Sequence, residues 1–339
     1  MATTAPQAPD AGPGARLARA VVRLPPASFF LVSAVFHYLG PALAVLLFAH
    51  ITVLGVMWLR IAAAAAVFAC WRRPWRLTSR LDRRQRVTLL APGGVLAGMN
   101  TLFYLAVARL PLATVGAIEF LGTTVLAAAG ARTRRNAAAL GLTIAGAATL
   151  TAIRLAARPL GFVFAFGNCA GFMLYVMLGH RVANTRVTGA DARSGNGSVA
   201  RPEYLAGIDQ LGAAMLIAAV AATPAGFGAA LPVFTRPAWL AWGIGVGICS
   251  SVIPYVTDQL AMARLPRATF ALMLALLPAF ATIIGAVVLG QIPAGRDLAG
   301  IALVIAGVAI HQADAGRPDT PAAGTPPRHP RGSGRGSAS

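Results

Sequence analysis

Residues 106–114 read AVARLPLAT and residues 261–269 read AMARLPRAT, seven identities in nine at an offset of 155. A second match, IAGA from Ile144 against IAGV from Ile305, lies at an offset of 161, so the loop between them absorbs six residues. A chain that repeats itself over half its length is built from two similar halves. If each half holds an odd number of membrane crossings, the two copies of a segment end on opposite sides of the layer.

Outward from the repeat, ten apolar runs can be read, near 28–48, 51–71, 87–108, 111–130, 137–154, 159–180, 204–223, 237–262, 266–289 and 296–313. A helix rises about 1.5 Å per residue, so about 20 apolar residues cross the hydrocarbon of a bilayer. A composition of 57% apolar and 12% charged residues agrees with a membrane protein and not with a soluble one of 339 residues. Joins at Pro111 and Pro266 end one helix and start the next. The expected fold is all-α: ten transmembrane helices as two inverted five-helix repeats, 28–154 and 155–313, with a cytoplasmic loop at 183–203. Residues 1–27 contain no apolar core of a signal peptide, so the first run is expected to be a retained helix rather than a cleaved leader. The Pro, Gly, Ser and Arg tail, 314–339, cannot bury enough apolar surface to order itself.

All 29 basic residues are Arg, against ten acids, a net charge of +19. With a cytoplasmic N-terminus, 23 of them fall in inside segments and five outside, namely Arg109, Arg154, Arg158, Arg236 and Arg296, while Arg60 stays within a helix. The positive-inside rule therefore places both termini in the cytoplasm of a bacterial inner membrane. Charge divided among short loops without interleaved aromatics is not a nucleic-acid surface. Cys70, Cys169 and Cys249 are far apart in apolar runs, and neither a metal site nor a disulfide framework is indicated. No phosphate-binding glycine motif, nucleophile elbow or zinc pattern is present, so the sequence offers nothing to an ATP-driven pump or a hydrolase, and no cofactor is expected.

PWR at 74–76, GMNTLFYL at 98–105, AIEF at 117–120, SSVIPYVTD at 250–258 and RLPRATF ending at Phe270 together resemble the EamA group of the drug/metabolite transporter superfamily, nearest its threonine/homoserine exporters. The resemblance covers nearly all of 28–313 and implies a ten-helix bundle that exports amino acids or related metabolites in exchange for protons. It departs from the pattern at Leu277 before Pro278 and at Gln291, both acids in the family, at Thr123 in place of proline, and at Asp258 in place of glutamate. These positions bear on the substrate.

Ionisable groups at bilayer depth are costly and mark candidate sites. Arg60 is too deep to reach water easily and needs a partner, either a substrate carboxylate or a structural ion pair. Glu119, near the middle of the fourth helix, is a proton or substrate group or else a protonated packing residue. Asp258, after Tyr255, and Asp209, early in the seventh helix, are expected at interfaces or gates. His37 is a proton relay or a hydrogen-bonded bundle residue. Asn100, beside Phe103 and Tyr104, orients a polar substrate or bonds a neighbouring helix. The pairs Gly94/Gly98 and Gly243/Gly247 have the spacing of close helix packing. The candidate site is thus Arg60, Glu119, Asn100, Tyr104, Tyr255, Asp258 and His37, with a small-molecule substrate, protons and lipid as partners. The expected function is a secondary-active exporter of small amino-acid-like metabolites, threonine and homoserine among the candidates. Export of a drug or sugar derivative, and a non-transporting scaffold or sensor, stand as the alternatives.

Overall fold

The computed structural model describes residues 25–72, 83–130, 133–151, 158–191, 203–262, 264–265, 273–274 and 276–315. Within them the chain is all-α, with no strand. In chain order the helices are α1 (Pro26–Leu47), α2 (Val53–Arg72), α3 (Arg83–Val107), α4 (Leu112–Gly130), α5 (Arg134–Thr151), α6 (Pro159–Asp191) and α7 (Glu203–Ala230). A 3-10 turn, Leu231–Thr235, leads into α8, which runs from Pro237 to Gly247, through a π turn at Ile248–Val252, and on from Ile253 to Met262. α9 (Leu277–Leu289) and α10 (Gly295–Ala315) follow. The PWR segment, Arg154, most of the second copy of the repeated turn, and most of both terminal segments and of the 183–203 loop lie outside the described residues.

Five helical stretches are long and apolar enough to cross a membrane: Pro26–Leu47, Val53–Trp71, Leu90–Val107, Ile208–Thr235 and Pro237–Ala261. Leu112–Gly122, Ala137–Leu150, Pro159–Tyr175 and Leu277–Leu289 are apolar but shorter. α6 continues past the expected end at 180 to Asp191, and α10 runs to Ala315. The ninth run, expected to be one helix from 266, has a turn at Leu276 and restarts at Leu277 with Pro278 in its first turn. Proline lacks the N–H an interior position would use but fits a first turn, so it starts this helix instead of sitting inside it.

Helices pack in definite pairs: α5 on α10, α2 on α7, α4 on α9, α3 on α6 and α7, α8 on α1 and α2, α4 on α6, and α1 on α9. The glycine of each IAG segment faces the first of these seams, against residues just before the other segment. A Cβ on Gly146 would lie 2.5 Å from the Gly300 carbonyl oxygen, and one on Gly307 would lie 2.2 Å from Thr143 Oγ1. Without a hydrophobic drive between helices in lipid, such close backbone approach supplies the packing.

The repeated turn also recurs in detail. Arg109 and Leu110 donate their backbone N–H groups to Ala106 O at 2.9 and 2.8 Å, and Arg264 and Leu265 donate theirs to Ala261 O at 3.0 and 2.8 Å. The Arg109 guanidinium lies 5.0 Å from the Phe164 ring centroid on α6, and that of Arg264 lies 4.7 Å from the Phe29 ring on α1.

Candidate functional site

The site begins with how closely three helices approach. Gly243 and Gly247 of α8 leave room for α2: a Cβ on Gly247 would lie 2.7 Å from both Ala63 Cβ and the Arg60 carbonyl oxygen. On the other side of α8, a Cβ on Gly40 of α1 would lie 2.3 Å from Ser250 Cβ. These glycines seat the π turn of α8 between α1 and α2, with Ser250 facing Arg60. Gly94 and Gly98 behave otherwise. A Cβ on either would meet nothing within 4 Å, whereas Gly93 packs on Ile217 of α7. At 100° per residue, the phase that buries Gly93, Leu96, Ala97 and Asn100 turns Gly94 and Gly98 outward, so the expected packing role holds for only one of the two pairs.

Arg60 is buried about two turns into α2. Its Nε donates to Ser250 Oγ at 2.6 Å, its Nη2 to the Ser250 carbonyl oxygen at 3.3 Å, and its Nη1 to Asn100 Oδ1. The guanidinium carbon is 5.2 Å from the Tyr104 ring centroid. Each acceptor is turned toward the arginine by a second bond. Asn100 Nδ2 donates to Leu96 O at 2.7 Å, and the Ser250 hydroxyl donates to Val246 O at 2.5 Å, leaving its lone pairs for Nε. π turns loosen the regular backbone ladder and recur at functional sites. Here the turn supplies a carbonyl to the guanidinium. The expected partner of Arg60 was an anion; its partners here are neutral oxygens and an aromatic face.

Glu119 is buried on α4, and its Oε2 has no hydrogen-bond partner. It lies within electrostatic range of Arg60, Tyr38 and Tyr255, yet no ion pair joins it to Arg60 among the described residues. Asn168 of α6 approaches Glu119, with its Nδ2 also unpartnered. Tyr255 is half-buried and in range of Arg60, Tyr104, Glu119 and Asp258. Asp258 has an unpartnered Oδ1 and lies close to Ser33, whose hydroxyl donates to Pro254 O at 3.3 Å. His37 packs edge-on against Tyr38, ring centroids 5.1 Å apart, within range of Arg60. The hydroxyls of Tyr38, Tyr104 and Ser251 are buried without partners.

All seven candidate residues therefore fall in one cluster contributed by α1, α2, α3, α4 and α8. Sequence reasoning missed Ser250, Ser251, Tyr38 and Asn168. The two serines sit in a quoted motif and Tyr38 adjoins His37, so proximity was a signal for those; a single amide in the apolar run of α6 was the only signal for Asn168. Asp209 is buried on α7 and has a partner of its own. Buried polar atoms are normally satisfied, so a group of orphans around one arginine marks this cluster as the candidate site.

Residues 200–311 match the EamA-like transporter family. The chain is 29% identical over 276 residues to the threonine/homoserine exporter RhtA of Salmonella typhimurium strain LT2, and equally to that of Escherichia coli K12, covering 79% of this chain and 84% of each relative. A solved crystal structure with 18% identity aligns with TM-score 0.50 over 84% of this chain and 96% of that one, a likeness of fold alone. Residues 200–311 thus resemble an EamA-like transporter domain, most of the chain is similar to these exporters, and five of its helical stretches are long and apolar enough to cross a membrane.

Proposed function

We propose that the chain exports a small zwitterionic metabolite of the amino-acid kind in exchange for protons, by alternating access of two five-helix halves about the Arg60 cluster. The observation that carries this reading is the separation of charge: a buried guanidinium held only by neutral oxygens, beside a buried carboxylate with an unpaired oxygen. A zwitterion supplies both missing partners. Its carboxylate matches the planar fork of Arg60, and its ammonium matches Glu119. In its absence a proton on Glu119 relieves the buried charge, so substrate and proton compete for one carboxylate, and competition of that kind gives exchange.

Two inverted halves are supported by the pairing of helices. Shifting each helix by five turns α3 on α6 into α8 on α1, α3 on α7 into α8 on α2, and α4 on α6 into α9 on α1, and leaves α5 on α10, α2 on α7 and α4 on α9 unchanged. The same shift relates Arg109 over Phe164 to Arg264 over Phe29. The arginine distribution supports cytoplasmic termini.

The relatives' names point to threonine and homoserine as the first substrates to try. A drug or sugar derivative does not call for a guanidinium and a carboxylate held apart, nor does a scaffold need either at this depth. The test is a panel of amino acids, sugars and cationic drugs on proteoliposomes, with and without an imposed pH gradient. Amino-acid flux that follows the gradient in the wild type and loses that dependence in Glu119→Gln is expected, because the amide imitates the protonated acid. Wild-type gradient dependence in Glu119→Gln would remove Glu119 from coupling and move the role to Asp258 or His37.

A further inference from the structure

The positive-inside distribution leaves five arginines on the outer side, and two of them, Arg109 and Arg158, line a single cavity of about 400 Å³. Val45, Leu110, Pro111 and Gln291 complete much of its wall, and no lining residue is acidic. Arg158 Nη1 donates to the Arg109 carbonyl oxygen at 2.7 Å, and Arg109 Nη1 donates to Leu105 O at 2.8 Å. A guanidinium carries five N–H donors, so most of both forks stay uncommitted. Among the described residues neither has a carboxylate within ion-pair distance, although Arg296 does, at 4.0 Å from Asp297. Gln291 accepts the Leu112 N–H through Oε1 at 3.0 Å, so its remaining hydrogen-bonding group is the amide NH₂, a donor. The side chains of the wall thus present donors and positive charge, and the complement is a group that only accepts: a carboxylate or a phosphate.

The cavity belongs to the helices that carry the central cluster. Val45 lies seven residues beyond Tyr38, Arg109 five beyond Tyr104, Pro111 eight before Glu119, and Arg158 ten before Asn168. At 1.5 Å per residue this is about 8–15 Å from the Arg60 cluster. It lies toward the C-terminal end of α1, whereas Asp258 neighbours Ser33 near the N-terminal end of that helix. Asp258, Arg60 and the paired arginines therefore follow one another along the bundle.

We propose that this cavity is an anion subsite at the outer mouth, which takes the carboxylate of the solute after it leaves Arg60, with the rest of a small molecule against Val45 and Leu110. Its place in export rests on the function proposed above; binding of a carboxylate does not. The test therefore reads binding directly, on full-length protein in phosphatidylcholine nanodiscs, by saturation-transfer NMR with propionate as the probe. Because the Arg60 fork would also take a carboxylate, the variants are compared in Arg60→Gln protein, where saturable binding is expected as in the wild type, with a loss of at least about tenfold on adding Arg109→Gln/Arg158→Gln and recovery with Arg109→Lys/Arg158→Lys. Val45→Trp, which fills the cavity and leaves both guanidiniums, should lose binding as well, so the result does not depend on the glutamine pair folding. Absence of binding in the wild type overturns the proposal, and so does loss in Arg60→Gln with retention in the arginine pair. Nanodiscs containing phosphatidylglycerol supply the second arm: retention of that lipid on Arg109 and Arg158, with exclusion of propionate, assigns the cavity to a lipid headgroup and overturns it too. If transport fails while propionate still binds through the two arginines, the exporter reading falls and the anion site stands.

Discussion

Asn100 and Ser250 each spend a donor on their own helix and thereby present an acceptor to Arg60. The guanidinium is consequently fixed in plane by bonds from Nε, Nη1 and Nη2, which an ammonium on a flexible stem does not reproduce. Arg60→Lys should fold, since the charge and most of the volume remain, and should weaken substrate by about 1.5–3 kcal/mol, roughly 10- to 100-fold in apparent affinity. Size-exclusion chromatography and concentration-dependent uptake into proteoliposomes check the two halves of that statement. Affinity unchanged by the lysine would mean that the fork does not hold substrate. At this scale the sequence was informative where charge met hydrocarbon, because Arg60, Glu119 and Asp258 carry a cost that a pattern of apolar runs makes visible. It carried only weak signals for Ser250 and Asn168, whose side chains are ordinary in any helix. Their importance comes from which neighbour they face, and that depends on packing between helices far apart in sequence.

The helix boundaries were legible where a proline or a charge punctuated an apolar run. α1, α2, α4 and α8 start or end within a few residues of the expected positions, while α6 overruns and the ninth run breaks at Leu276. The π turn of α8 was not legible, since its sequence, ICSSV, has no element-breaking residue. It is held from outside, by Gly40 on one flank and Arg60 on the other. Gly40→Ala should therefore act on α8 although the substitution is in α1. A Cβ at 2.3 Å from that of Ser250 must push the helices apart, at about 1–3 kcal/mol of stability, and should draw Ser250 away from Arg60. A lowered thermal midpoint together with reduced flux is expected. Gly94→Ala on α3 is the control, because that position faces open space and should change neither.

For the whole molecule, the loop arginines make the prediction. Reporter fusions at Arg80, at Asp191 and at the C-terminus should all report cytoplasm, and one after Arg236 the opposite side. A periplasmic signal from the C-terminal fusion would remove the model of two odd-numbered halves. The ten-helix plan could be proposed from the apolar runs and the relation of the halves from nine residues and their copy, whereas the central cluster and the outer arginine cavity needed the helices to be placed side by side. The repeated turn carries one more consequence. If Arg-Leu-Pro closes a helix at the outer surface in one half and at the inner surface in the other, the motif seats equally well upright and upside down. Such a motif contains no address. Sidedness must then be written in the connecting loops, and grafting arginines between loops, with the turns untouched, should suffice to reverse which mouth opens to the cell interior.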